Sequence, residues 1–296
     1  MTILQKFFGK KTTTDEETAS QEIESLGFEI SECSETCESC TAKFPKSLKF
    51  EETEPLWKST KPYGMHILIA TGKTDWPHDA LDKAGTLRHQ IGKWAGNKKS
   101  SLGTIKVNVS SASSDDLFTN DDYIDEKKGD ILILPYFLKV KGVTIDEVDT
   151  VLDELHELLI KDATIEEITE SLPKVSPDSN QSYVFFCSHA TRDKRCGVTA
   201  PIMKREMDKY LQELDLYKEF GDNSPGGVTT EFINHIGGHK YAANVMIYLK
   251  SSGKNIWLGL CKPNNVKPIV DECIVGDGKV WPDKVRLVQK FNPIEW

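Results

Sequence analysis

Hydrophobic and polar positions follow the periods of strands and helices in turn from about residue 48 onward. Apolar runs with the length or the alternation of strands occupy Met65–Ala70, 104–111 and 129–140. Apolar positions at helical spacing occupy 87–97 and 144–160. Strands that alternate with helices in this way predict an α/β layer structure for the first half of the chain.

A second α/β unit is predicted after residues 171–181, which are rich in Pro, Ser, Asp and Asn and have the composition of a linker. Ser182–Cys187 has the pattern of a buried strand, and a helix is predicted to open at or just after Cys196. Residues 226–235 predict another strand, which ends at a histidine. Two closely spaced apolar runs within 244–260 predict a hairpin.

Composition narrows the possible classes of protein. The chain has 296 residues, 38% of them hydrophobic, and a formal net charge of −9. That charge argues against a general binder of nucleic acid or acidic membranes, and there is no run of about 18 apolar residues that would span a bilayer. We expect a flexible acidic tail over residues 1–45, an α/β domain over 46–172 and a second over 180–296.

The cysteines indicate a reducing compartment. There are seven, an odd number, without a secretory signal or the spacing of a small disulfide-bonded domain. We therefore expect the protein in the cytoplasm. Cys33, Cys37 and Cys40 lie together in the acidic tail, where neighbouring glutamates disfavour thiolates, so incidental thiols are favoured over a metal or disulfide site.

Four side chains that can bind a metal follow two of the predicted strands. A C-x8-C pattern spans a polar loop, and an H-x3-H pattern spans a glycine loop. If both strands lie in one sheet with these ends at the same edge, the four side chains converge. The glycines disfavour a helix and allow close backbone approach with positive φ. The residues are Cys187, Cys196, His235 and His239, with Gly237 and Gly238 between the histidines.

Spacing alone leaves three kinds of site open. Structural zinc binds two cysteines and two histidines, but usually with about two to four residues between the cysteines. A [2Fe-2S] cluster is larger and suits longer ligand loops, and two cysteines on one iron with two histidines on the other is a known arrangement. A thiol-disulfide oxidoreductase would use Cys187 and Cys196, because Arg192, Lys194 and Arg195 would favour a thiolate.

Longer motifs carry a resemblance to a known family. The stretches CSHATRDKRCGVTAP, NHIGGHKYAANVMIYL and IWLGL resemble the sucrase/ferredoxin-like family, and DWPHDA and DILILPYF extend the resemblance into the first half. The resemblance implies two thioredoxin-like α/β units, the second a thioredoxin-like ferredoxin domain. It also implies an electron-transfer protein with a [2Fe-2S] cluster bound by Cys187, Cys196, His235 and His239.

Further expectations concern the surroundings of that site. A histidine ligand keeps a titratable N–H, so one-electron reduction is expected to be coupled to proton uptake. His189 is expected in the loop beside the site rather than as a ligand, and Cys261 and Cys273 as buried structural thiols. The sequence does not identify the electron donor or acceptor.

The last three residues, Ile294, Glu295 and Trp296, carry a separate signal. They resemble the C-terminal tail that client proteins present to the cytosolic iron–sulfur targeting complex. This resemblance predicts that complex as a partner. The alternative is an aromatic residue that packs against the fold.

Overall fold

A computed structural model describes residues 13–50, 54–219 and 221–296, which form an α/β fold around one ten-stranded sheet. The strands are β1 Met65–Ala70, β2 Ile105–Ser110, β3 Lys128–Leu134, β4 Leu138–Thr144, β5 Val175–Pro177, β6 Ser182–Cys187, β7 Val228–Ile233, β8 Val245–Leu249, β9 Lys254–Leu258 and β10 Val285–Lys290. The α-helices are α1 Thr13–Ser25, α2 Leu87–Asn97, α3 Asp116–Thr119, α4 Asp121–Ile124, α5 Val148–Ile160, α6 Ile165–Ser171, α7 Lys194–Glu213 and α8 Val266–Pro268. Shorter 3-10 segments lie at Ile145–Glu147, His239–Tyr241 and Pro263–Asn265, and a π-helical segment at Ile269–Val275.

The sheet contains the same strand arrangement twice. Its order is β10-β9-β8-β6-β7-β2-β1-β3-β4-β5. β1 is parallel to β2 and antiparallel to β3, and the antiparallel pairing continues through β4 to β5. β6 has the same relation to β7 and β8, and the pairing continues through β9 to β10. The halves meet where Ser110 of β2 pairs with Ile233 of β7. The predicted α/β fold class is confirmed, and the strand arrangement is repeated in the two halves of the sheet.

Alternate residues of the central strands face different cores. In β1, Ile67 packs with residues of α2 and α5, whereas Leu68 faces the opposite side. In β6, Phe186 packs with residues of α7, whereas Phe185 and Cys187 share a core with Leu68. Because this inner core takes residues from both halves, one face of the first half packs against one face of the second. Cys187 therefore lies in a core that both halves build.

Two segments that were predicted to lack regular structure contain it. Helix α1 occupies part of the predicted flexible tail and joins the core of the second half through Ile23 and the nearby Phe28. Residues 1–12 of that tail lie outside the described residues. Strand β5 lies within the predicted linker and pairs with β4. Pro177 is compatible with β5 because an edge strand leaves one row of N–H groups unpaired. The domain boundaries, 46–172 and 180–296, stay predictions.

None of the helices within the described residues is long and apolar enough to cross a membrane.

Candidate functional site

The two cysteines of the predicted site flank one short loop. β6 ends at Cys187, the loop spans 188–193, and Cys196 lies in the first turn of α7, so the helix begins before Cys196 rather than at it. The Asp193 side chain caps this helix by accepting the N–H of Arg195 at 2.9 Å, as aspartates at helix N-termini commonly do. The cysteines are 1% and 0% exposed, so both thiols are shielded from solvent.

The two thiols and the ring of His235 are neighbours. Contact with Cys196, and more weakly with His235, lowers the pKa of the Cys187 thiol although burial opposes this. Contact with Cys187, together with burial, raises the pKa of the Cys196 thiol. The pair therefore favours a thiolate at Cys187 that accepts the S–H of Cys196. Thiolates and imidazoles together suit zinc, copper or iron better than magnesium or calcium.

The histidine loop begins just after β7. That strand ends at Ile233, two residues before the predicted end at His235. The loop then enters the 3-10 segment His239–Tyr241. The side chain of His239 lies outside the described part of the chain. Of the four predicted ligands, the structure thus brings together Cys187, Cys196 and His235.

Gly237 and Gly238 both adopt backbone conformations that favour glycine. Their φ angles are +83° and +65°, in the region that only glycine occupies without strain. A Cβ at Gly238 would lie 2.3 Å from Nη2 of Arg286, whereas the same position at Gly237 is open. The predicted reasons for these glycines are therefore confirmed: positive φ at both positions and close approach at Gly238.

Arg286 is a buried cation beside the site that sequence reasoning missed. Its residue is 1% exposed. Nη1 donates to the Gly237 carbonyl at 3.1 Å and to Oδ1 of Asn244 at 2.8 Å, and Nε donates to Oγ of Ser59 at 3.0 Å. Burial lowers the pKa of Arg286 to about 10, against the opposing influence of Tyr241 and of the two site cysteines. The sequence did contain a signal for this residue, because Arg286 is the one charged residue among the apolar residues at the start of β10.

Asn244 connects Arg286 to β6, the strand that ends at Cys187 and is called the cysteine strand below. Its backbone carbonyl accepts the N–H of Cys187 at 3.3 Å. Because a guanidinium only donates, the amide oxygen must face Arg286, and Nδ2 remains as a donor. Asn244 is 2% exposed, and its Nδ2 has no hydrogen-bond partner within the described residues. Buried donors are rarely left unpaired, so this amide suits an additional acceptor, such as a sulfur atom.

His189 holds the start of the histidine loop. Its Nδ1 accepts the backbone N–H of His235 at 3.2 Å. Its Nε2 lies 2.9 Å from the Trp76 carbonyl and 3.0 Å from the Pro77 carbonyl. This pattern requires the tautomer with the proton on Nε2. Both nitrogens are engaged, as expected of a residue beside the site rather than a ligand.

The first half covers the cysteine loop with the segment between β1 and α2. The Asp75 carboxylate accepts the backbone N–H of Thr191 at 3.1 Å and its hydroxyl at 2.7 Å. The Thr74 carbonyl accepts the hydroxyl of Ser188 at 2.6 Å. The DWPHDA motif of the first half thus has a structural role at the site of the second half.

The basic residues at the end of the loop 188–193 and at the start of α7 contact neighbours in different ways. Arg195 forms an ion pair with Asp193 at 2.8 Å. Arg192 donates to the His78 carbonyl of the first half at 3.2 Å. Lys194 is exposed. Arg195 lowers the pKa of Cys196 less than burial and the neighbouring thiol raise it, so these residues do not activate that thiol.

The other cysteines do not join this site. Cys261 and Cys273 are buried, as predicted. Cys33 is exposed, and Cys37 and Cys40 are half-buried. Although Cys187, Cys196 and His235 are neighbours, no three His, Cys, Asp or Glu side chains within the described residues, these three included, are grouped closely enough to hold a metal ion; His239 falls outside that statement.

The C-terminal residues pack against the fold. The Ile294 N–H donates to the Lys250 carbonyl at 3.1 Å, and the Ile294 side chain packs against the inner core. The half-buried Trp296 packs against the helix-covered core of the first half. Recognition of this tail by a targeting complex stays a prediction.

Sequence comparisons identify the family. The sucrase/ferredoxin-like family model matches residues 56–287. Actin patches distal protein 1 of Saccharomyces cerevisiae is 38% identical over 253 residues, which are 83% of this chain and 80% of that protein. The chain therefore belongs to the sucrase/ferredoxin-like family, and the resemblance inferred from the motifs is confirmed.

Two further similarities cover smaller parts of the chain. Altered inheritance of mitochondria protein 32 of Meyerozyma guilliermondii is 38% identical over 109 residues, 37% of this chain and 35% of that protein. A solved thioredoxin-like [2Fe-2S] ferredoxin from Aquifex aeolicus has 18% identity and a TM-score of 0.26, with coverage of 38% of this chain and 96% of that chain.

Proposed function

We propose that this protein is a cytoplasmic electron carrier that holds a [2Fe-2S] cluster on Cys187, Cys196, His235 and His239. The proposal rests on one observation: two buried thiols and the His235 ring are neighbours where the central strands β6 and β7 end. His239 joins the set because of its spacing in the histidine loop and the family to which the chain belongs.

The surroundings of these side chains fit such a group. Two thiolate ligands and the sulfides of a cluster would be hydrogen-bond acceptors, and the buried Nδ2 of Asn244 is a donor that has no partner in the described residues. The nearby Arg286 supplies positive charge without contact to solvent. Soft thiolates with imidazoles are donors that iron–sulfur clusters accept.

When bound, a [2Fe-2S] cluster accepts and returns one electron at a time. The chain's own residues keep water away, since both cysteines are buried in the core that the halves share. His189 and Arg286 fix the two sides of the histidine loop through the His235 N–H and the Gly237 carbonyl. These two hydrogen bonds position the loop that carries both histidines.

His235 gives the site a means to bind a proton. If His235 binds iron through one ring nitrogen, the other nitrogen would hold a proton more tightly when the site carries an additional negative charge. Electron uptake would then be coupled to proton uptake in the pH range between the imidazole pKa values of the oxidised and reduced states.

A thiol-disulfide oxidoreductase is less compatible with the geometry. Its reacting thiol must reach a disulfide on another molecule, and such thiols are partly exposed. Cys187 and Cys196 are 1% and 0% exposed.

The test is a count of iron and acid-labile sulfide, with an absorption spectrum, for anaerobically purified wild-type protein and a His239→Cys variant. About two irons and two sulfides per chain, with visible bands that shift in the variant, are expected. A protein that stays colourless after reconstitution, and that holds zinc or no metal, would contradict the proposal and favour a zinc-stabilised module.

A further inference from the structure

We propose that Arg286 is the buried counter-charge of this site: its guanidinium holds the histidine loop against the cysteine strand and favours the reduced, more negative state. The inference rests on the proposed cluster. It assigns Arg286 as a positioning residue, because its described contacts are to protein groups around the predicted ligands.

A buried arginine without a carboxylate partner is unusual, because removal of a charge from water is costly unless an opposite charge compensates for it. Within the described residues, the hydrogen-bond acceptors of Arg286 are neutral: a serine hydroxyl, an asparagine amide and backbone carbonyls. In the first half, the buried Arg88 has a carboxylate partner, Glu126, at 3.1 Å. The charge of Arg286 is favoured by Tyr241, Cys187 and Cys196, and the guanidinium also lies over the rings of Tyr241 and Trp257, 5.2 and 5.9 Å from their centroids.

The hydrogen bonds of Arg286 connect both ligand loops. On one side, Nη1 donates to the carbonyl of Gly237, two residues after His235. On the other side, the same Nη1 donates to Asn244, whose carbonyl accepts the N–H of Cys187. One guanidinium nitrogen therefore sets the separation between the histidine loop and the cysteine strand.

The charge of Arg286 has a predictable effect on reduction. Two ferric ions, two sulfides, two thiolates and two neutral imidazoles sum to zero, and one added electron gives −1. A fixed positive charge in a buried environment stabilises that added charge more than it would in water. Loss of the charge should therefore make the reduced state less stable and lower the midpoint potential.

The experiment compares the midpoint potentials of the wild-type protein and of Arg286→Lys, Arg286→Gln and Asn244→Asp variants at one pH. Arg286→Gln removes the charge, whereas Asn244→Asp keeps Arg286 and offsets its charge with a neighbouring carboxylate. Both substitutions should lower the midpoint potential by about 59 mV, which corresponds to about a tenfold smaller equilibrium constant for one-electron reduction. Arg286→Lys should stay closer to the wild-type protein. Lys290→Gln removes an exposed charge from the same strand and should not shift the potential.

Cluster content decides the remaining outcomes. If Arg286→Gln and Asn244→Asp lose iron and sulfide while Arg286→Lys keeps them, the positive charge is needed for assembly, which supports the proposal. Unchanged potentials in loaded Arg286→Gln or Asn244→Asp protein would overturn it. Loss of the cluster from Arg286→Lys as well would overturn the role of the charge. It would mean that only the shape and hydrogen bonds of the guanidinium matter. A wild-type protein without iron would instead contradict the proposed function.

Discussion

The two halves share strand order and register but not chemistry. Ala70 of β1 pairs with Ser110 of β2, and in the second half Cys187 of β6 pairs with Ile233 of β7. Cys187 therefore occupies the position of Ala70, and His235 occupies that of Ala112, two residues beyond the paired strand end. The topology brings these positions together in both halves, but only the second half has, at both, side chains of a type that can bind a metal.

The loops after β1 and β6 differ in length and in role. The loop of the first half spans residues 71–86, whereas that of the second half spans 188–193. The longer loop contacts the shorter one through Asp75 and through the Trp76 carbonyl that faces His189. The comparison indicates that the loop of the first half packs against the loop of the candidate site in the second half.

The largest effect is expected from a change at the equivalent strand ends. Cys187→Ser should remove nearly all iron and sulfide, because a hydroxyl is a poor substitute for a thiolate ligand. Ala70→Ser at the matching position of the first half should retain about two irons per chain. Metal and sulfide analysis of both purified variants checks this. Equal loss in both would contradict the assignment of the site to the second half.

The glycine loop allows a second matched pair. Gly237→Ala should lower the free energy of unfolding by about 1 kcal/mol because of its positive φ. Gly238→Ala should cost about 3 kcal/mol, because its Cβ would also collide with Arg286. Urea unfolding of the metal-free proteins measures the difference. Equal losses would mean that the approach of Arg286 does not constrain the loop.

The pH dependence of the midpoint potential distinguishes a histidine of the candidate site from a histidine of the first half. Between the imidazole pKa values of the oxidised and reduced states, reduction takes up a proton, so the midpoint potential should fall by about 59 mV per pH unit. Below the lower of these two pKa values both states are protonated, and the potential should be constant. His235→Cys should reduce this slope, whereas His89→Gln in the first half should not. A flat wild-type potential from acid to strongly alkaline pH would contradict histidine ligation.

The contact between the halves should give the smallest effect. Asp75→Ala should lower the free energy of unfolding by about 1 kcal/mol at neutral pH, because it removes two hydrogen bonds to an exposed carboxylate. Burial raises the pKa of Asp75, but the bonds from Thr191 outweigh this and lower it below its ordinary value of 3.8. The stabilisation is thus present above that pH and is lost as the carboxylate protonates in more acidic solution.

Urea unfolding at pH 7 and at about pH 3 tests this contact. The difference between the wild-type protein and Asp75→Ala should shrink at the lower pH. Asp82→Ala, which removes a nearby exposed carboxylate, is the control and should have little effect at either pH. An unchanged stability of Asp75→Ala at neutral pH would show that the first half does not brace the cysteine loop through this residue.

Local patterns predicted the elements well where one periodicity dominated. Met65–Ala70, Leu87–Asn97 and Ser182–Cys187 have the predicted bounds, because continuous apolar runs and helix-ending residues are signals within the segment itself. The acidic segment around α1 lacked such a signal. Its few apolar residues, among them Ile23, are ordered by contacts with a core that lies far away in sequence.

The sequence indicated the residue types of the candidate site but not the groups that surround them. C-x8-C and H-x3-H pointed to the loops, and the glycines pointed to a close approach. The side chain that approaches the glycines is Arg286 of β10, the last strand along the chain. A single charged residue in an apolar run does not indicate which loop it will contact. The contact between Asp75 and Thr191 could not be predicted either, because it depends on how the two halves pack against each other.

The central claim is that histidines of the second half bind iron, and pulsed electron paramagnetic resonance of the reduced protein tests it most directly. With nitrogen-15 histidine in an otherwise unlabelled chain, two histidine nitrogens should couple to the unpaired electron. One coupling should disappear in His235→Cys. A reduced wild-type cluster without any histidine nitrogen coupling would contradict the account.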